Sequence, residues 1–353
     1  MISLNELLKR AVDDNASDVF IIAGRGLSYK VNGVIKEIDS EIVMPDVSES
    51  MIREIFDIAD RNIDKYIETG DDDFSVTIRG LSRFRVSVYR QRGSFAAVIR
   101  IVPFGIPDYK KLGIGENVMD VVNKTKGLIL VTGPAGGGKS TTLACMIDRI
   151  NHSRNSHIIT LEEPIEYLHR NDKSIISQRE IEFDTMDYVS ALRASLRQAP
   201  DVILVGEMRD YETISTAMTA AETGHLVIST LHTLGASNTV DRIIDVFPAN
   251  QQPQIRVQLA MLLQAIVSQQ LVPTVEGGLV PVFEIMYANN AIRNMIRESK
   301  THQLNATIVS SASEGMISMD NSLLELYKKG VISKDVAIRY ALNPDNLSKR
   351  IEL

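Results

Sequence analysis

Leu4, Leu7, Leu8 and Ala11 recur at helical spacing, and Ser3-Leu4-Asn5-Glu6 has the capping-box pattern that opens such a helix. The period then changes to that of strands. Val19 to Ile22 reads as one, followed by a hairpin of Leu27–Val31 and Val34–Ile38 around Asn32-Gly33, a favoured two-residue turn. A helical stretch is expected over Ser48–Ile67, and strands over Phe74–Ile78, Arg83–Tyr89 and Phe95–Val102. Pro103-Phe104-Gly105-Ile106-Pro107 is Pro/Gly punctuation. The pattern predicts an α+β domain over 1–102, a linker over 103–112 that permits hinge rotation, and a second domain over 113–353.

From about 113 to 272 the chain alternates strand and helix, the mark of a parallel sheet flanked by helices. Four apolar runs each stop at a polar cluster. Leu128–Val131 stops at Gly133, and Ile158-Ile159 runs into Thr160-Leu161-Glu162-Glu163-Pro164. Val202–Val205 ends at Gly206-Glu207, and Leu226–Ile228 leads to Ser229-Thr230-Leu231-His232-Thr233. Ligands of open α/β sheets sit outside the carboxyl ends of the strands, so all four clusters are expected in one crevice. Residues 287–353 read as a helical subdomain.

Composition narrows the class. The chain has 353 residues, 44% of them hydrophobic, enough for real cores, and no apolar stretch of about 18 residues that would span a membrane. Its N-terminus lacks a secretory pattern, and its single cysteine, Cys145, is expected as a packing residue, so a cytoplasmic location is expected. A net charge of −7, without a basic, aromatic-interleaved tract, argues against a nucleic-acid motor.

The chemistry starts at Gly133-Pro134-Ala135-Gly136-Gly137-Gly138-Lys139-Ser140, which fits G-x-x-x-x-G-K-[ST] between a strand and a helix that opens with Thr141. Such a loop wraps backbone N–H groups around phosphates, with Lys139 reaching the β/γ-phosphates and the Ser140 hydroxyl binding Mg²⁺. ATP is the expected ligand. Glu207 follows its strand directly, where a carboxylate holds Mg²⁺ or polarises water. Glu162 and Glu163 offer further carboxylates. His225 and His232 are each weak signals, but His232, at the fourth strand end, is a candidate γ-phosphate sensor. Arg83 and Arg85 project from one face of their strand, opposite Phe84 and Val86. With no acidic partner nearby in sequence, Arg85 and Arg100 are candidate arginine fingers for another subunit's nucleotide, whereas Arg90 reads as part of a solvated basic face.

With these motifs in place, the chain resembles the type II/IV secretion ATPase superfamily, and within it the retraction ATPases of type IV pili. The likeness runs over nearly the whole length. It is carried by GPAGGGKSTT, TLEEPIEY, ALRASLRQAPDVILVGEMRD and TAAETGHLVISTLHT, in family order and spacing. Residues 291–298, Ala-Ile-Arg-Asn-Met-Ile-Arg-Glu, resemble the AIRNLIRE element associated with retraction, with Met295 in place of Leu. Ile292, Met295 and Ile296 form the apolar face of that helix, leaving Arg293, Asn294 and Arg297 on its other side. Glu163 stands where the family usually has Asp, and Phe20 and Gly26-Leu27 also depart from the family pattern.

The resemblance implies an α/β protein with a PAS-like N-terminal domain and a RecA-like P-loop ATPase domain ending in the helical subdomain. It also implies a homohexamer that hydrolyses ATP with Mg²⁺, needs no nucleic acid, and meets the membrane through a PilC-like platform protein. Assembly-type relatives carry a longer N-terminal region and a tetracysteine zinc element. One cysteine excludes that element, so retraction is favoured over assembly or type II secretion.

Overall fold

The computed structural model describes residues 2–31, 33–102 and 105–352. Asn32 of the expected turn, and Pro103 and Phe104 of the expected linker, lie outside the described residues. The chain divides into two compact units, Met1–Gly105 with Glu166–Leu168, and Ile106–Ile165 with His169–Leu353.

The first unit runs α1 (Leu4–Asp13), β1 (Asp18–Ile22), β2 (Gly26–Val31), β3 (Val34–Ile42), α2 (Pro45–Ile58), α3 (Asp64–Thr69), β4 (Asp71–Ile78), β5 (Ser82–Gln91) and β6 (Ser94–Val102). Its antiparallel sheet has the order β3-β2-β1-β6-β5-β4. Leu4, Leu7, Leu8 and Ala11 of α1 and Ile52, Ile55 and Phe56 of α2 are buried in one core with Val19, Ile21, Phe84, Val86 and Ile99 of the sheet. The Ser3 hydroxyl accepts from the Glu6 amide, as a cap does.

One local feature differs from the pattern reading, and one turn adds to it. The helical stretch over Ser48–Ile67 is two helices. Asp60 takes a left-handed φ of +49°, which an α-helix cannot pass through, and the Asn62 side chain accepts from the Asp64 amide to start the next one. The β5–β6 hairpin turns at Arg92-Gly93, with φ of +50° and +80°, the twist that a two-residue turn requires.

The second unit runs α4 (Glu116–Met119), β7 (Gly127–Thr132), α5 (Lys139–Ser153), β8 (His157–Glu162), β9 (Ile175–Glu180), α6 (Tyr188–Ser195), β10 (Val202–Val205), α7 (Tyr211–Glu222), β11 (Leu226–Leu231), α8 (Ala236–Asp245), α9 (Gln252–Leu262), β12 (Leu263–Pro273) and β13 (Leu279–Tyr287). Helices α10 (Asn290–Arg297), α11 (Leu304–Ser310), α12 (Met319–Lys328), α13 (Lys334–Arg339) and α14 (Pro344–Glu352) complete it. The sheet order is β13-β12-β7-β11-β10-β8-β9, parallel except for β13. The four strands read from the sequence form its centre, β7-β11-β10-β8. β9, β12 and β13 extend it on either side.

The helical end is joined to the sheet by a buried carboxylate. Glu284 on β13 accepts from the Ala236 amide at 2.8 Å and the Met319 amide at 3.3 Å, the first residues of α8 and α12. Each helix start carries unpaired N–H groups and a positive dipole end, so one carboxylate caps both.

Candidate active site at the strand ends

Strand register sets the site. Leu231 pairs with Thr132, and Val205 pairs with both Ser229 and Leu161, so the carboxyl ends of β7, β11, β10 and β8 lie along one edge of the sheet. That edge carries the 133–140 loop, His232, Glu207 and Glu162-Glu163 side by side.

Gly133 leaves β7 with a φ of +144°, and a Cβ placed there would stand 1.9 Å from the Gln269 carbonyl oxygen. No side chain fits. The loop then turns into α5, whose N-terminal end begins at Lys139, with Ser140 and Thr141 half-buried in its first turn. Lys139 is buried, and its Nζ donates to the carbonyls of Gly133 (2.8 Å) and Pro134 (2.9 Å).

The same ammonium lies 3.4 Å from His232 Nδ1, and His232 Nε2 lies 2.9 Å from Glu207 Oε1. An ammonium only donates, so Nδ1 is the acceptor and the Nε2–H donates to Glu207. Arg209 Nε sits 2.9 Å from the other Glu207 oxygen, and this contact raises the pKa of the guanidinium. Lys139, His232, Glu207 and Arg209 are thus one chain of polar contacts across three strand ends. Glu162 is held separately. Its Oε1 accepts from Thr160 Oγ1 at 2.6 Å and from Gln178 Nε2 at 3.1 Å, while Glu163 is exposed.

Arg85 and Arg100 belong to the first unit, where they are directly paired across β5 and β6. Arg85 is exposed. Arg100 is not the unpaired cation that the sequence suggested: its Nε donates to Asp18 Oδ1 at 3.0 Å. The partner was invisible because it lies 82 residues away. His225 sits at the opposite end of β11 from His232, its Nδ1 contacting the Ala220 carbonyl and Thr223 hydroxyl. Cys145 is buried in α5, and burial pushes its thiol up to about 11, which leaves it inert at neutral pH.

Two groups went unread in the sequence. Gln269 on β12 accepts from Thr142 Oγ1 at 2.7 Å and backs the loop through its carbonyl. Arg209 pairs with Glu207. An acid and a base two apart after a strand signal the second, whereas nothing local signals the first.

The polar side expected of α10 is also modified. Ile292 and Ile296 are buried as expected, and Asn294 and Arg297 are exposed. Arg293 turns back, however, and its Nη1 donates to the Ala260 and Met261 carbonyls in the last turn of α9, the second at 2.7 Å.

Residues 1–278 match the family described as Type II/IV secretion system protein. This chain belongs to that family. Among its members, the type IV pilus retraction ATPase PilT of Pseudomonas aeruginosa is 42% identical over 97% of this chain and 99% of its own. A twitching motility protein of Neisseria gonorrhoeae is 41% identical over 98% of this chain and 92% of its own. A crystal structure of the pilus retraction motor PilT with bound ADP superposes with a TM-score of 0.91, at 44% identity, over 99% of this chain and all of that one. A type II secretion protein E of Aeromonas hydrophila is 34% identical, but matches 77% of this chain and 54% of its own. Among the described residues, no helix is long and apolar enough to cross a membrane.

Proposed function

We propose that this chain is an ATP-hydrolysing motor that retracts type IV pili. The observation that carries the reading is the Lys139–His232–Glu207 chain beside the 133–140 loop, in a protein similar along its whole length to retraction ATPases.

The loop fits a nucleoside triphosphate. It offers a helix N-terminus, a lysine already drawn into the loop, and the Ser140 hydroxyl on the first helical turn. Residues 133–141 would hold the phosphates, and Ser140 and Glu207 the Mg²⁺. That ion, when bound, neutralises phosphate charge. Lys139 exchanges two loop carbonyls for phosphate oxygens, leaving His232 to report the change to Glu207. Glu207 accepts a proton from the attacking water, with Glu162 as a second carboxylate and Arg85 and Arg100 supplied in trans.

The working unit in this reading is a homohexamer of two-domain subunits, 1–102 and 113–353, hinged at 103–112. It acts from the cytoplasm on a PilC-like platform protein.

The test has two parts. Glu207→Gln is expected to bind ATP normally and to hydrolyse it at least about 100-fold more slowly. Turnover within twofold of the parent overturns the assignment. Deletion of the gene is expected to leave excess surface pili and abolish twitching, whereas absent pili mean assembly.

A further inference from the structure

Tyr188 opens α6, next to Asp187, whose side chain caps the helix by accepting from the Ser190 amide at 2.7 Å. Its ring packs on the core of the second unit, with the hydroxyl at its far end. Gly206, the residue before Glu207, shows where it goes. A Cβ on Gly206 would stand 2.9 Å from Tyr188 Oη and 3.0 Å from the Leu161 carbonyl. The hydroxyl therefore lies over the gap between the ends of β10 and β8, where Glu207 and Glu162-Glu163 emerge. The missing side chain at Gly206 is what admits it.

Three further facts bear on its use. Among the described residues Tyr188 Oη has no hydrogen-bond partner. Tyr188 and Glu163 line one cavity of about 810 Å³, with Asp187, Arg193 and Asp210. Burial, and then the charges of Glu163 and Glu207, push the phenol pKa upward, with Arg209 opposing; the hydroxyl keeps its proton at any working pH.

We infer that Tyr188 is a further residue of the hydrolytic site, its hydroxyl holding the attacking water between Glu163 and Glu207. The inference rests on the ATPase reading above. A neutral phenol accepts one O–H of the water and donates its own to Glu163, while the water's other O–H points to Glu207. The water oxygen keeps its lone pairs for phosphorus. Tyr188 gains and loses no proton. It fixes the orientation of the water, and it gives exposed Glu163 a part distinct from that of Glu162, which is already held by Thr160 and Gln178.

Tyr188→Phe removes one oxygen and leaves the packing. The purified full chain is expected to keep its thermal midpoint and its affinity for a fluorescent ATP analogue, while kcat falls about tenfold, the worth of one well-placed hydrogen bond. Glu163→Gln is expected to lower kcat similarly, and the double variant to be no slower than the worse single one, because both act through one contact. A Tyr188→Phe kcat within twofold of the parent overturns the inference, as does an effect on KM alone. A parent chain with no ATP turnover overturns the ATPase reading itself, and the part assigned to Tyr188 with it.

Discussion

Asp18 and Arg100 face each other across β1 and β6, and the Arg100 Nε–Asp18 Oδ1 contact of 3.0 Å ties a mostly exposed guanidinium to a mostly buried carboxylate. Among the described residues Arg85, across from Arg100 on β5, has no such tie. The two arginines are therefore unequal despite lying side by side. An arginine that reaches for a neighbour's phosphate must first leave whatever holds it. Arg85 is exposed, whereas Arg100 is held by Asp18.

Substitution should separate them. Arg85→Ala is expected to change stability by less than about 0.5 kcal/mol, and Arg100→Ala to cost about 1 kcal/mol because Asp18 loses its counter-charge. If both act in trans, each lowers turnover by up to about 10³-fold, and mixing Arg85→Ala with Lys139→Ala subunits restores activity. Confirmed mixed rings without restored turnover rule out the trans arrangement.

Lys139→Ala and Gly133→Ala test different properties of the same loop. The first is expected to fold and to bind ATP about 100-fold more weakly, since a charge-assisted contact is lost. The second drives a methyl into the Gln269 carbonyl and is expected to cost about 3 kcal/mol. Urea unfolding alongside fluorescent-ATP titration distinguishes them. Equal stability of the two variants would mean that Gln269 yields.

Arg293 and Asn294 are adjacent on α10 but do different work. Arg293→Ala uncaps α9 and is expected to cost about 1 kcal/mol, a fall of about 3 °C in the thermal midpoint. Asn294 is exposed and bonds mainly to Glu298, so Asn294→Ala should leave the midpoint unchanged. Twitching lost in Asn294→Ala at full stability would give the 291–298 element a role in force transmission. Normal twitching there confines the element to packing.

Glu284 predicts a pH dependence. Burial is the largest influence on it and raises its pKa above the usual carboxylate value, despite the two amides that favour the charge. The native protein then binds more protons than the unfolded chain, so stability from this residue is full below the unfolded pKa and falls as pH rises towards the folded value. Glu284→Gln is expected to remove that slope while losing one helix cap. Urea midpoints of both proteins from pH 4.5 upward would show it; parallel curves exclude the effect.

The central sheet was legible because a parallel strand covered on both faces is apolar throughout, and Leu128–Val131, Val202–Val205 and Leu226–Ile228 have that form. β9 was not, since Ile-Ile-Ser-Gln-Arg-Glu is an edge strand with a mixed surface. β12 was hidden because α9 ends at Leu262 and β12 begins at Leu263, with no glycine or proline to mark the change. The break between α2 and α3 rests on a left-handed aspartate, a conformation that composition does not announce. At the strand ends the residue types could be read, but not their pairing. Contacts such as Asp18 with Arg100, or Gln269 with Thr142, exist only once distant strands are laid together.

The direct join between α9 and β12 has a mechanical meaning. Arg293 grips the last turn of α9, β12 begins at the very next residue, and the Gln269 carbonyl on that strand lies close against Gly133. The links are close contacts and regular secondary structure, interrupted by one shift of register between β12 and β7 at Leu263–Ala265. A displacement of α9 would thus pass along β12 towards the loop, and a loop closed around phosphate would push back along the same path. In a machine that must turn chemical events into pulling, stiffness along such a line decides how much of each stroke is delivered and how much is lost as bending.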